Sequence, residues 1–183
     1  GKFHVHRSLD LVPKIKSSAI QEWFGRLPGN IGIGNVRYTT SGKTDEKSLL
    51  KGTQPATASR NGRKIAISFN GNIVNVFQLS KEIKTKFPDF SYECDAELVC
   101  HKLMVELLKG KELKEAVRTC MREIDGAFSV AAITQDGKFF AFKDPHGIRP
   151  LCAGHSRDGS TYAFSSETAS LDINGFERDF ELE

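Results

Sequence analysis

The chain has 183 residues, 39% of them apolar and 27% charged, a balance that excludes disordered, collagen-like and disulfide-framework classes. A domain of about 150 residues already removes roughly 68–70% of its unfolded surface from water, so one substantial core is within reach and no staple is required. Twenty-six Lys and Arg against 23 Asp and Glu leave a net +3, and the two signs are interleaved, so no basic face marks a nucleic acid or a membrane surface as partner. No run approaches the roughly 18 apolar residues of a membrane span, and no signal-peptide pattern opens the chain. These features predict a single cytoplasmic domain over residues 1–183.

In chain order, residues 2–6 read as a strand that places His4 and His6 on one face, with no third ligand near them in sequence to complete a metal site. Residues 32–36 read as an apolar strand that delivers Arg37 into a hydroxyl-rich turn. Residues 56–59 and 64–69 flank Asn61-Gly62, a dipeptide that accepts the positive φ angles of a tight hairpin turn, and the second strand is expected to stop at Asn70-Gly71. Asn75 precedes the helical period Val76, Leu79, Ile83. A helix is expected over 95–109, with Asp95 capping its start, Val99, Leu103 and Leu107 turned inward, and Gly110 after its last turn. Leu113, Ala116, Val117, Cys120, Met121 and Ile124 repeat at i, i+3, i+4, i+7 before Gly126 ends that helix. Residues 127–134 and 138–142 flank Asp136-Gly137, and 151–154 and 161–164 flank Asp158-Gly159, giving two more expected primed turns. Helices with a single apolar stripe beside antiparallel hairpins predict an α+β layered sandwich rather than a parallel sheet with crossovers.

The four cysteines, at 94, 100, 120 and 152, form no C-x-x-C pair, so neither a zinc site nor a thioredoxin-like motif is written, and they read as buried thiols. Cys100 and His101 are adjacent on a helix and therefore point about 100° apart, which does not suit a nucleophile and its base. Three segments carry polar groups that a simple core does not need. Arg37 can hold a carboxylate in two parallel hydrogen bonds, or can belong to an internal ion pair. Asn70 offers an amide N–H and Gly71 a close backbone N–H, which together suit an oxyanion hole or merely a turn. Asp95 can bind an ammonium group or only cap its helix.

Taken in order, GIGNVRYTTSG, QPATASRNGRKIAISFNGNIVN, CDAE, IDGAFSVAAI, DPHGIRPLCAG and YAFSSET resemble the class II glutamine amidotransferases, and most closely the amidophosphoribosyltransferases of purine synthesis. The resemblance covers nearly the whole chain. It implies the four-layer αββα sandwich of N-terminal-nucleophile hydrolases, with mostly antiparallel sheets and an incomplete N-terminal end. It implies attack on the glutamine side-chain amide by the thiol of a first-residue cysteine, whose own α-amine, with a reference pKa of about 7.7–8.0, serves as base. By motif match, Arg37 holds the substrate α-carboxylate, Asp95 its α-ammonium, Asn70 and the Gly71 N–H the oxyanion, and Tyr38 borders the path of departing ammonia. The ammonia then displaces pyrophosphate from phosphoribosyl pyrophosphate on a second domain, where Mg2+ is expected; no cofactor is expected in this chain. A homo-oligomer is implied, with no nucleic acid or membrane partner.

The sequence departs from that family at residue 1, which is Gly1 rather than a Cys-Gly-Ile opening, and the phosphoribosyltransferase domain is not among these residues. The expectation is therefore a glutaminase domain that is inactive as this chain alone and needs its opening segment and second domain in cis or as another chain. Two alternatives stay open: a non-catalytic glutamine-binding or regulatory module, and another class II amidotransferase. Asn35 and Phe69, both commonly histidine in the family, are smaller departures.

Overall fold

The computed structural model describes residues 2–37 and 45–181. Helix α1 (Ser17–Arg26) and the short α2 (Glu46–Lys51) precede a hairpin of β1 (Ala56–Arg60) and β2 (Arg63–Ile73). Three helices follow, α3 (Val76–Lys84), α4 (Asp95–Leu108) and α5 (Leu113–Glu123), then β3 (Gly126–Thr134) and β4 (Phe139–Lys143). Strands β5 (Cys152–Ser156) and β6 (Tyr162–Ser165), helix α6 (Thr168–Ile173) and β7 (Phe176–Glu181) complete the order. The strands form two antiparallel sheets, β1-β2-β3-β4 and β6-β5-β7.

The period-2 alternation of side chains fixes how these layers stack. On one face of the first sheet, Ile65, Ile67, Phe69, Phe128, Val130, Ala132 and Phe142 join the core made with α3, α4 and α5. The opposite face carries Ser68, Asn70, Ser129 and Ala131, and there the Phe139 ring meets Phe164 of β6, with centroids 5.1 Å apart. Within the second sheet, Gly154 is offset by one residue from the Phe164 partner Ala153, and a Cβ on it would lie 3.3 Å from Leu171 of α6. Helix α6 therefore covers the outer face of the second sheet, and the order is α, β, β, α.

Three details differ from the sequence expectation. Asn61 (φ 48°) and Gly62 (φ 73°) form the primed two-residue turn, but in the other two hairpins only the glycines, Gly137 (φ 86°) and Gly159 (φ 69°), enter the left-handed region. Those connections are longer, so one positive-φ residue suffices to reverse the chain. Residues 2–6 and 32–36 are not strands, since no described neighbour offers them a ladder, and His6 instead stacks on Trp23 at 4.0 Å. Helix α4 is buried almost all round rather than along one stripe, because β1 and β2 cover one side and α3 and α5 the flanks. Even Lys102 and Glu106 are enclosed.

Candidate active site

Strand β1 begins at Ala56, opposite Ile67, so among the described residues the rest of β2 has no strand partner along that edge. The N–H and C=O groups of alternate residues point to it. The Gln54 side chain takes the first position in place of a strand: Phe69 N–H donates to Oε1 at 2.6 Å and Nε2 donates to Phe69 C=O at 3.0 Å. At the third position the Ile73 N–H donates to Asp95 Oδ2 at 2.9 Å. Between them lies the Gly71 N–H, which has no partner among the described residues. Only glycine fits there, since a Cβ would sit 2.2 Å from the Ala127 carbonyl oxygen and 2.7 Å from Phe128 Cα.

The strand does not stop at Asn70, as the sequence suggested, but continues through Asn70 and Gly71, which pair with Ser129 and Phe128. Asn70 is thereby held on the inter-sheet face and not in a turn. Phe69 points the other way, 5% exposed, toward the Phe128 ring. Its departure from the family residue thus places a phenyl ring in the core, at a residue that also lines the cavity.

Arg37, Gln54, Asn70, Gly71 and Asp95 line one cavity of about 920 Å³. Arg37 is half-buried, and its Nη1 donates to the Gly52 carbonyl at 2.8 Å; among the described residues it has no ion-pair partner. Residues 31–37 approach as irregular chain rather than as the expected strand. Asp95 is not the cap of α4. Cys94 holds that position, and Asp95 is the first helical residue, with one carboxylate oxygen, Oδ2, engaged by the β2 edge. Glu97 secures the helix start instead, accepting from Glu93 N–H at 2.6 Å. Tyr38 lies outside the described residues.

The cavity also contains residues to which the sequence reading gave no role, chiefly Gln54, Ser129 and Arg149. Gln54 and Arg149 stand in recognisable motifs, but that an amide would substitute for a strand, or that a guanidinium would reach the cavity from the loop between β4 and β5, is a property of the packing. Asp144 fixes the loop before Arg149. Burial pushes its carboxyl up, but N–H groups of Phe128, Ile148 and His146 outweigh this and hold it below the usual range.

All four cysteines are buried thiols. Burial pushes Cys94 and Cys100 up, and Cys120 up to about 12, so these three are protonated at neutral pH and poor nucleophiles. His101 does not serve Cys100. Its Nδ1 meets the Glu97 carbonyl at 2.8 Å, its ring packs on Phe87 and Phe90, and burial pushes its pKa down. Glu82, Glu106 and Glu123 lie close enough to hold a metal ion, but Lys102 Nζ already fills their centre at 2.7, 2.8 and 2.5 Å. This cluster does not fit Mg2+.

Residues 44–172 match the family described as glutamine amidotransferase domain. The chain belongs to this family. The amidophosphoribosyltransferase of Methanothermobacter thermautotrophicus is 34% identical over 173 residues, covering 94% of this chain and 34% of the relative. Amidophosphoribosyltransferase 3, chloroplastic, of Arabidopsis thaliana is 38% identical over 147 residues, 80% of this chain and 26% of the relative. The solved glutamine phosphoribosylpyrophosphate amidotransferase of B. subtilis, complexed with ADP and GMP, superposes with a TM-score of 0.65 at 27% identity, over 81% of this chain and 30% of its own. A structure described as the allosteric regulatory enzyme of purine biosynthesis gives 0.66 at 28% identity, again over 81% and 30%. The chain thus spans about a third of the length of the curated relatives it matches. The likeness also bears out the N-terminal-nucleophile sandwich expected from the motifs. No helix among the described residues is long and apolar enough to cross a membrane.

Proposed function

We propose that this amidotransferase domain binds glutamine and releases its amide nitrogen as ammonia for an amidophosphoribosyltransferase reaction, with phosphoribosyl pyrophosphate as acceptor on a separate domain, where Mg2+ would bind. The observation that carries the reading is the Gly71 N–H, unpartnered among the described residues, flanked by the Gln54 clamp and the Asp95 carboxylate and adjacent to the Asn70 amide. A donor left bare in a cavity stabilises charge that appears only during reaction. Arg37 takes the substrate α-carboxylate and Asp95 its α-ammonium, while Tyr38 borders the ammonia path by motif match.

The nucleophile is a thiol from outside residues 1–183, in the family manner the first residue of the mature chain. It attacks the glutamine side-chain carbonyl carbon, the C–N bond breaks with a proton passed to nitrogen, ammonia leaves, and water then cleaves the thioester to glutamate. None of the thiols at 94, 100 and 120 suits that role, for the reason of burial given above. The same burial favours a second reading, a domain that binds glutamine without turning it over. The family resemblance also carries the proposal of a homo-oligomer in the cytoplasm.

The test is calorimetric titration of the 183-residue polypeptide with glutamine, next to an ammonia-release assay on it and on a chain led by a Cys-Gly segment. Binding without release by the first, and release by the second, is the expected outcome. Arg37→Ala should weaken binding roughly ten- to a hundred-fold, the value of one charged hydrogen bond, with little loss of stability. Unchanged binding in that variant refutes the clamp, and a silent Cys-led chain leaves the non-catalytic reading standing.

A further inference from the structure

The inter-sheet end of the cavity holds polar groups that the glutamine reading does not use. Ser68 is 8% exposed, and its Oγ has no hydrogen-bond partner among the described residues. Arg149 reaches the same cavity from the loop that Asp144 holds, and its buried Nε is likewise without an acceptor. Arg149 forms no ion pair among the described residues. A second basic group, Lys143, lies buried on the same face across from Ser129 and also has no acidic partner among the described residues. The nearby Asp144 carboxylate offers little compensation, being occupied by backbone N–H groups. Leaving buried donors without acceptors is costly in a native protein, so each such group calls for an occupant.

We propose that Ser68 and Arg149 form a second binding site in this cavity, for a small carboxylate held apart from the α-groups of glutamine. A guanidinium presents its Nε–H and one Nη–H side by side to the two oxygens of a carboxylate, and a serine hydroxyl supplies a third donor. Position separates this site from the glutamine groups. Ser68 precedes Asn70 by two residues on one strand face, about 7 Å away, beneath the second sheet. Arg37 and Asp95 are instead anchored at Gly52 and at the open edge of β2.

The test is an NMR titration of the 183-residue polypeptide with sodium acetate against sodium chloride of equal ionic strength, following the Arg149 Nε–H and the amides around Ser68. A saturable shift at both places is expected with acetate and not with chloride. Arg149→Gln should weaken acetate binding roughly ten- to a hundred-fold, and Ser68→Ala should weaken it less. Arg37→Ala should leave it unchanged, which separates this site from the glutamine clamp whether or not glutamine binds. Absence of a saturable shift at the Arg149 Nε–H overturns the proposal, as does a folded Arg149→Gln variant that binds acetate like the parent. If Arg149→Gln does not fold, the parent titration and the Ser68→Ala comparison decide alone.

Discussion

Replacing Lys102 by Met isolates the buried charge network that ties α3, α4 and α5 together. The Lys102 and Glu106 side chains are both 0% exposed, and Lys102 Nζ lies within 2.8 Å of Glu82, Glu106 and Glu123. Methionine fills much of the same volume but leaves these carboxylates facing one another. Removing one partner of a buried pair costs about 3–5 kcal/mol. Lys109 and Lys111 remain bonded to Glu106 at 2.7 Å each, so about 3 kcal/mol at pH 7 is the expected loss.

The pH dependence is the sharper readout. In the parent, burial pushes the Glu106 carboxyl up, but hydrogen bonds from Lys102, Lys109 and Lys111 outweigh it and hold the group at about 2, against an ordinary 4.5. A folded-state pKa below the unfolded one contributes stability that is present above pH 4.5 and is lost as pH falls toward 2; the depression corresponds to roughly 3 kcal/mol shared across the network. In Lys102→Met the crowded carboxylates are relieved by taking up protons, so the gap between variant and parent should shrink as pH is lowered from 7 to 4. Urea denaturation followed by circular dichroism at both pH values measures it. A deficit under about 1 kcal/mol at pH 7, or one that widens on acidification, refutes the reasoning.

Asn70→Ala in a complete, Cys-led enzyme should lower kcat by about 10²–10³ with little change in glutamine affinity, as for loss of one oxyanion donor; steady-state kinetics alongside a binding titration would show the opposite pattern if Asn70 held the ground state. Gly71→Ala should destabilise the ligand-free domain by about 1–3 kcal/mol or more, because its Cβ meets Ala127 O at 2.2 Å; a urea midpoint like that of the parent would show that the strands can part cheaply. Asp95→Asn keeps an acceptor for the Ile73 N–H but loses the charge, so glutamine binding should weaken about tenfold or more while the denaturation curve barely moves; a collapse of stability with unchanged binding would make Asp95 structural only.

Much of this protein is legible in local pattern. The Asn61-Gly62 turn, the helical periods of α3 and α5, and the strand alternation follow from backbone sterics and from the spacing of apolar residues, which operate over a few positions. The motif order also pointed to the residues that share the cavity, Arg37, Asn70, Gly71 and Asp95. What each one touches was decided by tertiary structure. Asp95 reads as a cap, but the open edge of β2 presents it with the Ile73 N–H, and Glu97 secures the helix start. Asn70-Gly71 reads as a turn, yet β3 supplies partners that carry the strand through it. Gln54 can stand in for a strand only because β1 begins two residues later. Lys102 and Glu106, polar residues that by sequence belong on a wet face, are enclosed because α3 and α5 close over α4 and bring the matching charges with them. Hydrogen-bond partners and burial depend on segments distant in the chain, and a local pattern contains no record of which segment will arrive.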